Sequence, residues 1–357
     1  MLEQQSLIIL QRWRNEQRFT SEDIRQLLRL EFTSKRAEAF NITIFNGERE
    51  IRQRAKLFSY SCEQVISICQ ELGFQSEDEI LETLWILWIP LACQLAQNKN
   101  NLQRPFIQGI LGGQGTGKTT LSQIVCLLLS YLGYQAIGIS IDDFYKTYAE
   151  RQKLKAKDPR LVRRGPPGTH DINLALKTFN HIKEASPKEL IPIPRFNKSY
   201  HHGEGDRIAS PEFVYNVDIV LFEGWFVGVT PVEKEIFNQS LSPEIAEVIT
   251  LKHIQFARDS RRRLKDYLPL WKNLDSLIVL SPQDYRWSIT WRTEAEHKMI
   301  ASGKTGMSDH DLKEFVYYFW RSLHPELYIK PLIRDPKFVD LVIEIDQNHR
   351  PFSIQKP

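Results

Sequence analysis

Apolar residues in the first hundred positions recur at spacings of three and four, which is the period of one face of an α-helix. The pattern is clearest in residues 7–13, 24–30 and 65–72. Ser76 precedes three acidic residues and has the spacing of a capping box with Glu79, which indicates that another helix begins there. A polar stretch at residues 97–105 follows. The pattern predicts a helical N-terminal region, residues 1–104.

The pattern changes beyond this region, where short apolar runs of strand length alternate with helical segments. The predicted strands are residues 106–111, 136–141, 217–222, 277–280 and 339–345. A helical segment at residues 119–132 ends at Gly133, a residue type that is common just after helices. Strands separated by helices predict an α/β fold with a mostly parallel sheet that is covered by helices on both faces. We assign residues 105–357 to this second domain.

Composition and charge narrow the class of protein. The 357 residues are 42% hydrophobic and 25% charged, as in ordinary packed proteins, and a net charge of +3 is too small to indicate a nucleic-acid partner. The longest apolar run, residues 84–93, is about half as long as a membrane span and contains Pro90, so we interpret it as a buried helix. No export signal is visible, and the four cysteines form no C-x-x-C pair. We therefore expect a cytoplasmic protein without a membrane partner; the oligomeric state is left open.

The segment GGQGTGKT, residues 112–119, fits the phosphate-binding pattern G-x-x-x-x-G-K-[ST]. It lies between a predicted strand and a predicted helix, the setting in which backbone N–H groups and a helix N-terminus cradle phosphates. Lys118 would reach the outer phosphates of ATP, and Thr119 would hold Mg²⁺. The predicted nucleotide-binding residues are Gly112, Gly113, Gln114, Gly115, Thr116, Gly117, Lys118, Thr119 and Thr120.

Acidic residues follow two of the predicted strands. Asp142 and Asp143 end the strand after the phosphate-loop helix, and Glu223 ends the strand VLFE. The carboxyl edge of a parallel sheet is where ligands bind, so a carboxylate there could take a proton from an alcohol acceptor, and Glu223 could lie near Mg²⁺. An Asp-rich turn is the alternative for the pair. Trp225, two residues later, lines a substrate pocket or belongs to the core.

Basic and flexible segments lie between these strands. Residues 151–164 carry seven basic residues, and we interpret those at 151–160 as solvated. The cations that we assign to an anionic substrate are Arg164, Arg195, Lys198 and Arg207. His201 and His202 are adjacent and have no cysteine nearby, which makes a metal site there improbable. Farther along, residues 284–312 suit a helical lid, and Arg286 or Arg292 could close over the transferred phosphoryl group.

Several segments together resemble D-glycerate 3-kinase of the plant and cyanobacterial type, within the wider group of uridine, phosphoribulose and pantothenate kinases. They are SIDDFY, RGPPGTHD, PRFNKSYHHGEGDR, LFEGW and WRTEAEHKMIASGKTGMSD, in order between residues 106 and 346. The resemblance implies a P-loop kinase that uses ATP and Mg²⁺ to phosphorylate the 3-hydroxyl of D-glycerate, the last step of photorespiratory salvage.

The resemblance also implies roles for single residues. Asp142 would be the general base, Lys118 and Arg292 would stabilise the transferring group, and Thr119 and Glu223 would manage Mg²⁺. The implied candidates for the carboxylate and hydroxyls of the substrate are Arg195, Lys198, Arg207 and His170. Asp143 would orient the substrate or a neighbouring cation, or would cap the turn.

Two alternatives stay open at this point. One is a nucleoside or pantothenate kinase of the same fold, and the other is an ATP-binding regulatory protein without turnover. The resemblance gives no role to residues 1–104 or to the long segment at residues 227–276. That segment contains Arg261, where relatives of this type tend to have an asparagine.

Overall fold

The computed structural model describes residues 4–16, 19–301, 303 and 306–357. Residues 1–3, 17 and 18 of the predicted N-terminal region and residues 302, 304 and 305 of the predicted lid lie outside the described residues.

A six-stranded sheet forms the centre of the molecule. Its strands are β1 (Phe106–Gly112), β2 (Ala136–Ser140), β7 (Ile219–Gly224), β8 (Ser276–Pro282), β9 (Leu341–Ile345) and β10 (Pro351–Gln355), in the spatial order β10-β9-β8-β1-β7-β2. All neighbouring strands are parallel except β10, which pairs antiparallel with β9. The predicted α/β fold with a mostly parallel sheet is therefore confirmed. The short antiparallel pairs β3 (Ile191–Ile193) with β6 (Glu212–Val214) and β4 (Phe196–Asn197) with β5 (Asp206–Arg207) lie outside this sheet.

The N-terminal helices cover one face of the sheet. They are α1 (Gln4–Glu16), α2 (Ser21–Phe32), α3 (Arg36–Ala39), α4 (Gly47–Glu71), α5 (Glu77–Thr83) and α6 (Ile89–Asn100). Trp13, Phe58 and Trp85 pack edge to face in their centre. The same apolar core continues into helix α7 (Lys118–Tyr131) and into the strand residues on that face, such as Ile110. Packing is thus continuous across residue 105, and the division into two domains stays a prediction.

The helix predicted to begin after Ser76 does so, because the Ser76 hydroxyl accepts a hydrogen bond from the Glu79 amide at 3.3 Å. Between α5 and α6 the chain forms one π-helical turn, Leu84–Trp88. Pro90 explains this wider turn, since proline lacks an N–H group and its ring would collide with the carbonyl of an ordinary preceding turn. The whole stretch Glu77–Asn100 is long and apolar enough to cross a membrane by length and composition, but 78% of its most apolar window is buried in this fold. It has the character of the buried helix that the sequence predicted.

The second face of the sheet is covered by helices from the remainder of the chain. The helices after α7 are α8 (Tyr148–Lys157), α9 (Ile172–Glu184), α10 (Pro243–Val248), α11 (Ile254–Leu264), α12 (Leu268–Trp271), α13 (Trp287–Ala301), α14 (Asp309–Ser322) and α15 (Pro325–Leu332). Of these, α9, α10, α11, α12 and α15 contribute residues to the core on this face. Alternate residues of β1 and β7 serve the two faces, so that Ile107 and Val220 belong to this second core. The segment 227–276 supplies α10 to α12, and α11 packs against α14.

We expect Phe58→Ala to lower the free energy of unfolding by about 3–5 kcal/mol, because it removes a fully buried ring from the aromatic centre of the N-terminal helices. Tyr60→Ala, on the exposed side of the same helix, is the matched control and should change stability by no more than about 0.5 kcal/mol. Urea unfolding followed by fluorescence measures both. If both substitutions lower the free energy of unfolding equally, Phe58 is not part of a packed core of the N-terminal helices.

Candidate active site

The phosphate-binding loop joins β1 to α7. Gly115 and Gly117 have φ angles of 79° and 84°, a left-handed conformation that glycine adopts without steric cost. A Cβ atom on Gly115 would lie 2.8 Å from the Cβ of Trp291, so the loop also needs glycine there for space. The loop leads directly into the start of α7, the setting in which backbone N–H groups and a helix N-terminus bind phosphates.

Lys118 lies within this loop. Its Nζ donates a hydrogen bond to the carbonyl of Gly113 at 2.8 Å. Burial lowers the pKa of Lys118, while the carboxylates of Glu223 and Asp142 act in the opposite direction. The ammonium group is therefore poorly solvated and lies close to both acids, as expected of a cation that meets phosphate oxygens.

Glu223 and Thr119 supply oxygen atoms on the β7 side of the loop. In the sheet register Glu223 lies opposite Ile110 of β1 and Ser140 of β2, and Thr119 Oγ1 donates to its Oε1 at 3.4 Å. A hydroxyl and a carboxylate are ligands that suit Mg²⁺, which takes the rest of its coordination from phosphates and water. Within the described ranges no group of three or more His, Cys, Asp or Glu residues could hold a metal ion. The residues thus fit a magnesium ion that arrives with a nucleotide.

Asp143 closes the turn that follows β2. Its Oδ2 accepts from the Ser140 amide at 3.0 Å and from Arg195 at 2.9 Å, and its Oδ1 accepts from the Phe196 amide at 3.2 Å. Burial raises the pKa of Asp143 even though Arg195 and the two amides lower it. With both carboxylate oxygens occupied, Asp143 acts as the cap that the sequence offered as one of its alternatives, and the geometry does not favour a substrate contact.

Asp142 points into the site instead. Lys198 Nζ lies 2.7 Å from its Oδ2, and the Tyr145 hydroxyl donates a further hydrogen bond. Burial tends to raise the pKa of Asp142, but the Lys198 ammonium and the Tyr145 hydroxyl bring it below its usual range. The side chain is therefore an ionised carboxylate near neutral pH, close to Lys118.

The predicted substrate cations separate into two groups. Arg195 donates to Asp143, to Glu212 at 2.7 Å and to the carbonyl of Gly138, and Arg207 donates to the Tyr145 carbonyl at 3.0 Å and to Asp171 at 3.3 Å. These contacts tie Arg195 and Arg207 to the scaffold, whereas Lys198 contacts Asp142. The role of all four cations in substrate binding stays a prediction.

Arg164 lies near the Lys198–Asp142 pair. One of its guanidinium nitrogens donates to the carbonyls of Gly203 and Glu204, each at 2.7 Å. No carboxylate pairs with it within the described part of the chain. Burial raises the pKa of Tyr145 and the positive charge of Arg164 acts in the opposite direction, which places Arg164 close to that ring.

The prediction that residues 151–160 are solvated is wrong for Arg151. It lies on α8 and is only 8% exposed, and its guanidinium donates to the carbonyls of Lys146, Glu204 and Gly205. It also stacks over the ring of Phe196. The sequence contained no signal for this, because the three acceptors are backbone atoms that only folding brings together.

One of the two adjacent histidines, His201, has partners within the fold. His201 contacts Asp206 at 3.2 Å and stacks on Tyr148 with ring centroids 4.0 Å apart. These two contacts give His201 a structural explanation without a metal.

His170 and Trp225 occupy different parts of the second face. His170 is 2% exposed and stacks on Tyr145 at 4.4 Å, beside Asp142. Trp225 donates its indole N–H to the carbonyl of Gly165 at 3.2 Å and packs edge to face on Phe319. It also lines a cavity of about 230 Å³ that reaches Gly113 and Gln114 of the phosphate loop.

Helix α13, which belongs to the predicted lid, packs on the phosphate loop; its opening and closing as a lid stays a prediction. Trp291 contacts Gly115, donates to the carbonyl of Gln347 at 2.7 Å and stacks near His349 at 4.4 Å. Sequence reasoning missed this residue, although its spacing of four from Trp287 marks an aromatic face. Arg292, the predicted lid arginine, contacts Glu296 at 3.6 Å and the ring of Phe315 at 5.6 Å in this arrangement.

Comparisons with known proteins agree with this geometry. D-glycerate 3-kinase, chloroplastic, of Arabidopsis thaliana is 32% identical over 69% of this chain, which spans 54% of that protein's length. The uncharacterized kinase mug58 of Schizosaccharomyces pombe is 33% identical over 60% of this chain and 79% of its own. The solved structure of D-glycerate 3-kinase from Cryptococcus neoformans is 25% identical and has a TM-score of 0.64 over 74% of this chain and 96% of its own. No family model matches. The chain belongs to the same family of P-loop kinases as mug58, and it is similar to the D-glycerate 3-kinases of Arabidopsis thaliana and Cryptococcus neoformans.

Proposed function

We propose that this chain transfers the γ-phosphoryl group of ATP to the 3-hydroxyl of D-glycerate and gives 3-phosphoglycerate, with Asp142 as the general base. The observation that carries the proposal is the position of Asp142. Its carboxylate lies at the carboxyl edge of the sheet, close to Lys118 of the phosphate loop and 2.7 Å from Lys198. An ionised base between two cations suits an acceptor that is both an alcohol and an anion.

On the nucleotide side, the N–H groups of residues 112–119 would bind the phosphates, and Lys118 would exchange its bond to the Gly113 carbonyl for the outer phosphates. Thr119 and Glu223 would hold Mg²⁺, which neutralises charge on the β- and γ-phosphates when it is bound. Trp291, lying on Gly115, would keep water away from the loop while the lid is in this position.

On the acceptor side, Arg164 supports an anionic substrate. A half-buried guanidinium that donates to neutral carbonyls and has no carboxylate partner among the described residues is a good receptor for a carboxylate, because ionic hydrogen bonds are roughly twice as strong as neutral ones. Lys198 is the second cation, and its side chain is 61% exposed and free to adjust. A neutral nucleoside would leave the Arg164 charge without a counterion, so this observation favours D-glycerate over the nucleoside alternative.

Purified protein with ATP and Mg²⁺ should release ADP in the presence of D-glycerate, and D-glycerate should be preferred over uridine and pantothenate in kcat/KM. Coupled spectrophotometric detection of ADP measures all three. Turnover of uridine or pantothenate alone would replace the proposed acceptor within the same family, and ATP binding without turnover of any acceptor would favour a regulatory protein.

Asp142→Asn should lower kcat by at least about a hundredfold, the low end for a general base, while ATP still binds with unchanged affinity. Asp143→Asn is the paired variant. It should lower the melting temperature, because it weakens a buried cap and ion pair, and its folded fraction should keep most of the turnover. If kcat falls more in folded Asp143→Asn protein than in Asp142→Asn protein, Asp143 and not Asp142 is the general base.

We expect Gly115→Ala to weaken ATP binding by at least about tenfold. The new methyl group would be strained at a positive φ angle and would collide with Trp291, so the loop would have to move. Gly73→Ala is the matched control, since Gly73 also has a positive φ angle but its Cβ would meet nothing within 4 Å. Calorimetric titration with a non-hydrolysable ATP analogue distinguishes the two. Equal losses in both variants would show that backbone strain alone is responsible.

Lys198→Met should move the acid limb of the kcat/KM profile to higher pH. The active form of the enzyme needs an ionised Asp142. Because the pKa of Asp142 is lowered, the carboxylate stays ionised on acidification until the pH falls through that lowered pKa. Removing the ammonium leaves burial as the main influence, which raises the pKa, so activity is lost earlier on acidification. Lys56→Met, an exposed lysine on α4, is the control. If the acid limb is unchanged in Lys198→Met, the ionisation of Asp142 is not what causes the loss of activity at low pH.

A further inference from the structure

His170 is a buried side chain with one satisfied and one unsatisfied nitrogen. Its ring lies between Tyr145, stacked at 4.4 Å, and Phe226, edge-on at 5.5 Å. Nδ1 lies 2.7 Å from the Tyr267 hydroxyl, but Nε2 has no hydrogen-bond partner in the described structure. A buried polar atom without a partner costs about 1–3 kcal/mol, so a site for an absent partner is the natural explanation.

Tyr267 determines which nitrogen of His170 carries the proton. Burial lowers the pKa of His170 to about 3 and raises the pKa of Tyr267, so both side chains are neutral at physiological pH. The Tyr267 oxygen accepts from the Gly168 amide at 2.9 Å and also from the His170 amide. With its acceptor sites occupied, the phenol is left to donate its only proton to Nδ1. The imidazole proton therefore resides on Nε2, as an N–H donor with no acceptor.

The imidazole ring of His170 lies near Asp142. The Asp142 carboxylate acts electrostatically on His170, and Tyr145 links them because its ring stacks on His170 while its hydroxyl donates to Asp142. A carboxylate needs a proton donor and Nε2–H needs an acceptor. An alcohol oxygen between them satisfies both, since it donates its own proton to Asp142 and accepts one from His170.

We propose that Nε2–H of His170 holds the attacking hydroxyl oxygen of the acceptor, and that Tyr267 is a positioning residue which fixes the required tautomer. This proposal deepens the proposed function and rests on it for the alcohol acceptor.

The chemistry of the step is balanced without any proton from His170. The O–H bond of the acceptor breaks, and its proton goes to Asp142. The acceptor oxygen forms a bond to the γ-phosphorus, and the bond from that phosphorus to the bridging oxygen breaks, with its electron pair going to ADP. His170 keeps its proton and stabilises the negative charge that develops on the attacking oxygen. The opposite tautomer would present a lone pair to that oxygen and repel it.

The first measurement needs no substrate. In protein labelled with ¹⁵N at histidine, the two-bond ¹⁵N–¹H correlation spectrum at pH 7.5 should assign the Nε2–H tautomer to a neutral His170. In Tyr267→Phe the ring packing against Phe226 is kept but the hydroxyl is lost, so the Nδ1–H tautomer should appear. An Nδ1–H tautomer in the wild-type protein would overturn the proposal, whatever the acceptor is.

The second measurement is steady-state kinetics with the acceptor that the wild-type protein turns over. Tyr267→Phe should lower kcat by about tenfold through the lost orientation of the imidazole. Tyr328→Phe is the matched control, because Tyr328 is also buried and its hydroxyl has no partner within the described residues; its kcat should not change. The melting temperature and the affinity for an ATP analogue should be similar in both variants.

Two substitutions of His170 separate its two nitrogens. His170→Asn keeps an amide near the Nδ1 position and loses the Nε2 donor, and its kcat should fall by about a hundredfold, the low end for loss of one such donor. His170→Gln places an amide N–H near the Nε2 position and should recover part of that loss. Equal kcat in the two variants, or full activity in His170→Asn, would overturn the proposal. If D-glycerate is not turned over but another alcohol is, the same comparisons apply to that alcohol, so failure of the proposed function is recognised separately.

Discussion

The ion pair between the buried Asp143 and the partly buried Arg195 is the constraint on which the positions of Asp142 and Lys198 depend. The Asp143 carboxylate also accepts from the Ser140 and Phe196 amides, so it fixes the end of β2 and the start of β4 with one group. Because this acid is turned toward Arg195, Asp142 is directed the other way, toward the phosphate loop. Because the same acid anchors Phe196, Lys198 two residues later reaches Asp142. The two adjacent carboxylates therefore point in different directions, and each pairs with its own cation. Because Arg195 fixes the start of β4, it also fixes the position from which Lys198 reaches Asp142.

The nucleotide half of the site could be predicted from the sequence, since local rules determine it. The loop at residues 112–119 has its chemistry in consecutive residues, and parallel strands bring their carboxyl ends to one edge, which places Glu223 and Asp142 beside it. The cap at Ser76 and the strand pattern are local in the same sense. The spatial order of the strands and the antiparallel pairing of β10 are not determined by local rules, because packing across the whole chain decides which strands pair.

The acceptor half could be predicted only as a set of residue types. Sequence reasoning found the cations but could not distinguish Arg164, which donates to two carbonyls, from Arg195 and Arg207, which pair with acids. It placed Arg151 in solvent, although carbonyls more than 50 residues away bury it. Whether an arginine is available to bind a substrate or is held within the fold depends on which backbone carbonyls and acids lie around it. The pattern of charges along the sequence does not show those contacts.

The segment at residues 227–276 explains why this half is nevertheless well defined. Arg160 and Arg263 connect the loop after α8 to α11, through Asp259 and Asp158. Tyr267, from the same segment, binds the Gly168 amide and the His170 ring. A loop stiffened only by its own glycines and prolines would leave Arg164 and His170 free to move, and the loss of geometry would reduce the rate of any transfer between bound groups. The phosphate loop identifies the nucleotide end of the site, whereas a segment without any recognisable motif holds the groups that we propose to bind the acceptor.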